Sequence, residues 1–127
     1  MSPEALELWS RAARSHKTAA MLAQEDPDAA VSRAYYAAFY AVSALFASQG
    51  RTFTRHTGVE AAVHRDLVRA GKWPVELGEA FSSLASLRAA ADYGVETHAT
   101  PAQAAQAVEM ADQILRAVRA SSSEPIP

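Results

Sequence analysis

The stretch "SRAYYAAFYAVSALFASQG", residues 32–50, places Arg33 ahead of Tyr35, Tyr36, Phe39 and Tyr40 in an alanine-rich apolar run. Side chains three or four positions apart share one face of a helix. Val31, Tyr35, Ala38, Val42, Leu45 and Phe46 then form a core stripe. Arg33, Tyr36, Ala37 and Tyr40 fall on an adjacent face, with both phenols close to the guanidinium. A helix that is apolar on more than one side is either central in its own bundle or buried against a second copy.

Working outward from this helix, punctuation residues mark four more. Asp26-Pro27 supplies its N-cap and first-turn proline, and Gly50 is a left-handed C-terminal stop. Ser2-Pro3 is the same start signal for a first helix reaching about Gln24, with Leu6, Trp9, Ala13 and Ala20 as its stripe. Thr57 with Glu60 has the spacing of a capping box, opening a third helix that carries Val59, Val63, Leu67 and Val68 to Gly71. Trp73-Pro74 marks the entry to a fourth, with Leu77, Phe81, Leu84, Leu87 and Ala91 as its apolar face up to Gly94. Thr100-Pro101 with Gln103 starts a fifth, which continues through Val108, Ile114, Leu115 and Val118.

No segment alternates with period two, so no sheet is expected. The reading is all-α: an up-and-down bundle of four to five helices forming a single domain over 1–120, with 121–127 ("SSSEPIP" from Ser121) as a flexible tail. At 127 residues the chain is long enough for a core of its own.

Composition narrows the function classes. A net charge of −2 gives no global attraction to nucleic acid or anionic lipid, so any RNA contact needs a local basic patch. The absence of cysteine excludes disulfides, thiolate catalysis and zinc-ribbon sites. No histidines and carboxylates have zinc-ligand spacing, and there is no glycine-rich phosphate loop or Gly-x-Ser-x-Gly elbow, so neither metal nor cofactor is expected. The opening "MSPEALELWSRAARSHK" lacks a basic region followed by an apolar stretch, and the run 34–50 is too short to span a bilayer. A cytoplasmic protein is expected, not a membrane one.

Two constellations carry possible chemistry. Arg33 is either a core-edge cation with its stem buried, or a phosphate or interface group. In "LRAAADYG", residues 87–94, Arg88 and Asp92 are four apart on one face and Tyr93 precedes the glycine. Asp92 is placed to hold Arg33 or Arg88 in a bridge between helices. A third, weaker signal is the loop "GRTFTRH", whose Arg51, Arg55 and His56 offer a local RNA or phosphate patch, with Phe53 as a stacking ring. The alternative for that loop is ordinary solvated charge. His16, His64 and Arg65 are expected on the surface, and His98 lies too far along the chain to complete an arginine pair within one helix.

Read together, "SRAYYAAFYAVSALFASQG", "RHTGV" and "LRAAADYG" resemble the HEPN family of small helical proteins. The match is to its stand-alone prokaryotic branch, whose members read roughly "SRAYYAMFHAARALL", "THKGV" and "LRxxADYG" in this order, and it covers residues 10–120. The resemblance implies a bundle that dimerises through its central helices, with Arg33, Tyr36, Tyr40, Arg88 and Tyr93 lining the dimer cleft. It also implies a toxin–antitoxin-type or RNA-related role, often beside a minimal nucleotidyltransferase partner. Catalytic members are metal-independent endoribonucleases using an arginine, four to six residues, then a histidine: a cation for the phosphorane oxyanion and an imidazole for the 2′-hydroxyl proton.

This sequence departs from that pattern. Counting from Arg33, the histidine position is occupied by Tyr40; counting from Arg88, the spacer reaches Asp92, Tyr93 or Gly94. A phenol, titrating near 10, is a poor base at neutral pH, and a carboxylate beside a guanidinium is held charged. Arg33, Tyr40, Arg88 and Asp92 are therefore the candidate catalytic set of a degenerate motif. The expectation is a homodimeric interaction module. The alternatives are an endoribonuclease or toxin using the same arginines, and a non-catalytic RNA or nucleotide binder using Arg33, Arg51, Arg55 and His56.

Overall fold

The computed structural model describes residues 1–95 and 98–126. Five helices follow in order: α1 Pro3–Leu22, α2 Pro27–Ser48, α3 His56–Ala62, α4 Val75–Tyr93 and α5 Pro101–Ser121. There is no strand among the described residues, and the helices pack as a bundle, as the periodicity predicts. No described helix is long and apolar enough to cross a membrane.

The start signals act as expected at three helices. Ser2 Oγ accepts from the Ala5 amide (3.1 Å) and Asp26 Oδ1 from the Ala29 amide (3.2 Å). Thr100 and Gln103 form the full reciprocal box, at 3.1 and 2.9 Å. Gly50 and Gly71 stop their segments with φ of 77° and 78°, a conformation that favours glycine. The box expected at Thr57 does not form. α3 begins two residues earlier, Arg55 is its uncapped N-cap, and the Glu60 carboxylate is engaged by Tyr35 instead.

Beyond Ala62 the third helix changes pitch. Val63–Val68 is a π-helical turn, which places Val63 and Leu67 in the core and brings His64 against α4. There His64 Nε2 lies 3.0 Å from Ser82 Oγ, and Gly78 lacks the Cβ that would meet Val68 Cγ2 at 2.9 Å. His64 is thus partly buried and bonded between helices, not simply a surface residue as expected. The same holds for His16, whose Nε2 is 3.3 Å from the Val108 carbonyl of α5.

α2 is the central helix, packed against each of the other four. Val31, Tyr35, Ala38, Val42, Leu45 and Phe46 are all buried, together with Ala30, Ala34, Ala37, Ala41 and Ala44. So many small side chains allow neighbouring helices to approach closely. α1 uses that closeness with a different stripe from the expected one: Ala5, Trp9, Ala12, Ser15 and Ala19 are buried, while Leu6 stays 41% exposed. Alanine-rich helices have weak contrast between faces, and the partner's shape chose the face. Trp73 is buried and donates from Nε1 to Ser121 Oγ (2.9 Å), tying the entrance of α4 to the end of α5. In the C-terminal segment Glu124 pairs with the Met1 ammonium group.

Asp28, in the first turn of α2, fastens the approach to α5. Its carboxylate accepts from the Ala99 amide and from His98 Nδ1, both at 2.7 Å. The Ala99 amide first, then His98, hold its carboxyl below the usual carboxylate range. A depressed folded value contributes stability above the unfolded value of about 3.9, lost as pH falls through the folded one. Asp28→Asn is expected to cost about 1–2 kcal/mol at pH 7. The gap from wild type should shrink below about pH 4, read as urea midpoints on both sides of that pH. A gap unchanged at low pH would show that the carboxylate's charge plays no part.

Candidate functional site

The face beside the core stripe of α2 is an aromatic surface on which guanidinium groups lie. Tyr36 is its centre. Its ring is 5.2 Å from Tyr35, 6.2 Å from Phe39 and 5.8 Å from Tyr40, centroid to centroid. Helical spacing sets this pattern, since 36, 39 and 40 are one turn apart and 35 is the neighbouring core position. Arg33, one turn before Tyr36 on the same helix, sits 4.9 Å over that ring.

Arg88 reaches the same ring from α4. Its guanidinium lies 5.7 Å from Tyr36, 4.8 Å from Tyr35 and 5.9 Å from Tyr93, within cation–π range of three phenols. The side chain is only 16% exposed, and Nε is buried with no hydrogen-bond partner among the described residues. Asp92 pairs with Arg88 within α4 at 3.4 Å. The carboxylate therefore does not bridge helices as expected; the link from α4 to α2 is the arginine stacked on tyrosine. Burial works against the charge of Arg88, and the surrounding phenols and Asp92 outweigh it, so its pKa is raised. Arginine is permanently cationic here in any case.

Beneath this surface, Tyr35 is buried and donates from its hydroxyl to Glu60 Oε1 (3.0 Å). Burial first, and then Glu60, push its phenol well above the ordinary tyrosine range. Tyr35 is a fixed donor and an anchor for Arg88, not a base.

The tertiary structure adds a histidine to the face. The ring of His56, on α3, lies 4.3 Å from Phe39 at a tilt of 41°, 5.7 Å from Tyr36 and 6.1 Å from Tyr35. One phenol, that of Tyr36, is thus shared by Arg33, Arg88 and His56. Arg11 of α1 extends the row, 6.0 Å over the Tyr40 ring. Tyr93 stands at the rim beside Arg88, 75% exposed.

The residues inferred from sequence therefore divide. Arg33, Tyr36, Tyr40, Arg88, Asp92, Tyr93 and His56 share one face. Arg51 does not join them: it lies between the Phe46 and Phe53 rings (4.9 and 5.5 Å) and pairs with Asp66 at 2.7 Å. Arg65 and Arg51 together hold the Asp66 carboxyl far below the usual range. Arg51 is a fastening between the loop and the π-helical turn. Arg55 is exposed at the N-cap of α3, next to His56 in the chain. Sequence reasoning passed over Arg11 and took Glu60 for a capping residue; the four-residue step from Tyr36 to Tyr40 marks the row, but nothing local marks α1 as its neighbour.

Comparison with known proteins identifies the family of this helical bundle. The family model described as HEPN domain matches residues 5–121. A UPF0332 protein of Thermotoga maritima is 42% identical over 91 residues, 70% of this chain and 69% of that protein. A second UPF0332 protein, from Gloeobacter violaceus, is 35% identical over 95 residues, 74% of this chain and 75% of its own length. A central helix with arginine and tyrosine on its free face, flanked by an arginine from the fourth helix, is what those matched residues build, and the chain belongs to the HEPN domain family, within the small group named UPF0332.

Proposed function

We propose that this chain is a homodimeric RNA-binding HEPN module, in which the Arg33–Arg88 faces of two copies meet across a two-fold cleft that takes the phosphate backbone. The observation that carries this reading is Arg88: a guanidinium laid on three phenols, with a buried Nε that has no hydrogen-bond partner among the described residues. Such a group is kept charged and preorganised, and among the described residues its anionic partner is Asp92, at a long contact. The phenols of Tyr36, Tyr40 and Tyr93 supply ring surface on which splayed bases stack. The working context is a cytoplasmic toxin–antitoxin-type system with a minimal nucleotidyltransferase partner.

Two measurements test it. Light scattering should give about twice the 13.6 kDa chain mass. For a labelled single-stranded RNA, log Kobs should fall with log salt at a slope of about −3, since four guanidiniums (two Arg33, two Arg88) each release about 0.7 counterion. Arg33→Ala should cut the slope by about 1.4. A flat salt profile removes the RNA reading. The partner is tested by co-expression with a minimal nucleotidyltransferase encoded beside this chain; failure to co-elute removes that part alone.

A further inference from the structure

A cavity of about 140 Å³ opens where α1, α2 and the loop after Gly50 meet. Neither Arg33 nor Arg88 lines it. Its walls are apolar, built from Leu8, Phe39, Ala47 and Phe53. The Phe46 ring supports Phe53 at 5.4 Å, and Gly58 leaves room for it, since an added Cβ would meet Phe53 Cδ1 at 3.1 Å. Three polar groups of different kinds reach the same space. Glu4 brings a carboxylate from the first turn of α1, and no cation pairs with it among the described residues. Arg51 brings a guanidinium whose Nη2 donates to Asp66 at 2.7 Å. Asp66 also serves Arg65, so two cations share one carboxylate and positive charge is left over. Nε and Nη1 of Arg51 have no hydrogen-bond partner among the described residues. Ser43 is the one serine between Arg33 and Ala47, and its hydroxyl makes no hydrogen bond among the described residues. A serine inside a helix ordinarily bonds back to the carbonyl one turn earlier, as Ser121 does to Ala117 at 2.7 Å.

We propose that this cavity binds a small zwitterion, an α-amino acid with a short aliphatic side chain. Its carboxylate takes the spare N–H donors of Arg51, its ammonium group pairs with Glu4, and the Ser43 hydroxyl bonds to one of the two. The side chain lies against Leu8, Phe39 and Phe53. An engineered apolar cavity of about 150 Å³ holds benzene, so a body of that size fits here, with the charged ends toward the open side. Both charges are needed for recognition. A plain amine leaves Arg51 without its anion, and a plain carboxylate leaves Glu4 without its cation. The site is separate from the RNA reading and does not depend on it.

The test is an NMR titration of the full ¹⁵N-labelled chain with L-valine. Amides around Ser43, Thr52 and Phe53 should shift and saturate, with a Kd below about 1 mM. Isobutylamine, which is valine without its carboxylate, and 3-methylbutanoate, which lacks the ammonium group, should each bind about 10-fold more weakly or worse. Glu4→Gln should lower the affinity for L-valine about 10-fold and should not weaken 3-methylbutanoate further. Ser43→Leu puts a side chain into the cavity and should abolish binding, with a thermal melt as the folding check. Should that chain not fold, Ser43→Ala reads the hydroxyl instead, as a loss of about 10-fold. No saturation below about 10 mM overturns the proposal. So does equal binding of L-valine and isobutylamine, or a folded Ser43→Leu chain that binds L-valine like wild type. None of these results bears on RNA binding, whose two arginines lie outside the cavity.

Discussion

Tyr35→Ala should cost about 3–5 kcal/mol of folding stability, the range for emptying a buried aromatic site. Native domains have only about 5–15 kcal/mol in total, so this one change removes a large share. Tyr35 is fully buried on the central helix, and its ring packs against Tyr36, Phe39, His56 and Phe81 at 5.2–6.1 Å. Those rings belong to α2, α3 and α4, so the cavity would open where three helices meet. Tyr35→Phe separates the polar part. It keeps the ring and leaves the half-buried Glu60 carboxylate without its donor, at a cost of about 1–2 kcal/mol. Removing both partners in Tyr35→Phe/Glu60→Ala should cost less than the sum of the two single changes. Urea unfolding gives each value. A Tyr35→Ala chain as stable as wild type would mean that the three helices do not depend on this contact.

The largest functional effect is expected at Arg88. Arg88→Ala should weaken RNA binding about 100-fold or more, since a hydrogen-bonded charge is worth about 1.5–3 kcal/mol and the proposed two-fold cleft would lose it twice. Arg88→Lys should recover only part of that. Lysine restores the charge but has neither the planar fork for phosphate nor the flat surface that lies on Tyr35 and Tyr36. Arg88→Met keeps the buried stem without the charge; if it folds like wild type and binds like Arg88→Ala, packing is not the cause. Anisotropy at one fixed salt concentration, with thermal melts as the folding check, reads all three. Equal binding by Lys and Arg would show that a point charge suffices, and full binding by Ala would remove Arg88 from the site.

Much of this was written in local sequence. Ser2-Pro3, Asp26-Pro27 and Thr100-Pro101 with Gln103 act only on the turn that follows them, so the starts of α1, α2 and α5 could be read without knowing the fold. The core stripe of α2 was equally legible, because large apolar side chains recur there at helical spacing. The grouping of Arg33 with Tyr36 and Tyr40 follows from the same spacing.

Other features depend on what lies opposite. The buried face of α1 was misread because alanine carries little signal and the surface of α2 selects among nearly equivalent faces. Glu60 has the spacing of a capping residue, but the buried hydroxyl of Tyr35 is the stronger claimant, since an unpaired buried donor is costly. His56 and Arg51 are five residues apart in one basic loop, yet one turns onto the tyrosines and the other onto Asp66. The chain alone determined five helices and which residues of α2 face inward, since those follow from the repeat of a single helix. Only packing decided that Arg88, Arg33 and His56 share the ring of Tyr36, because that depends on distances between helices that no local period encodes.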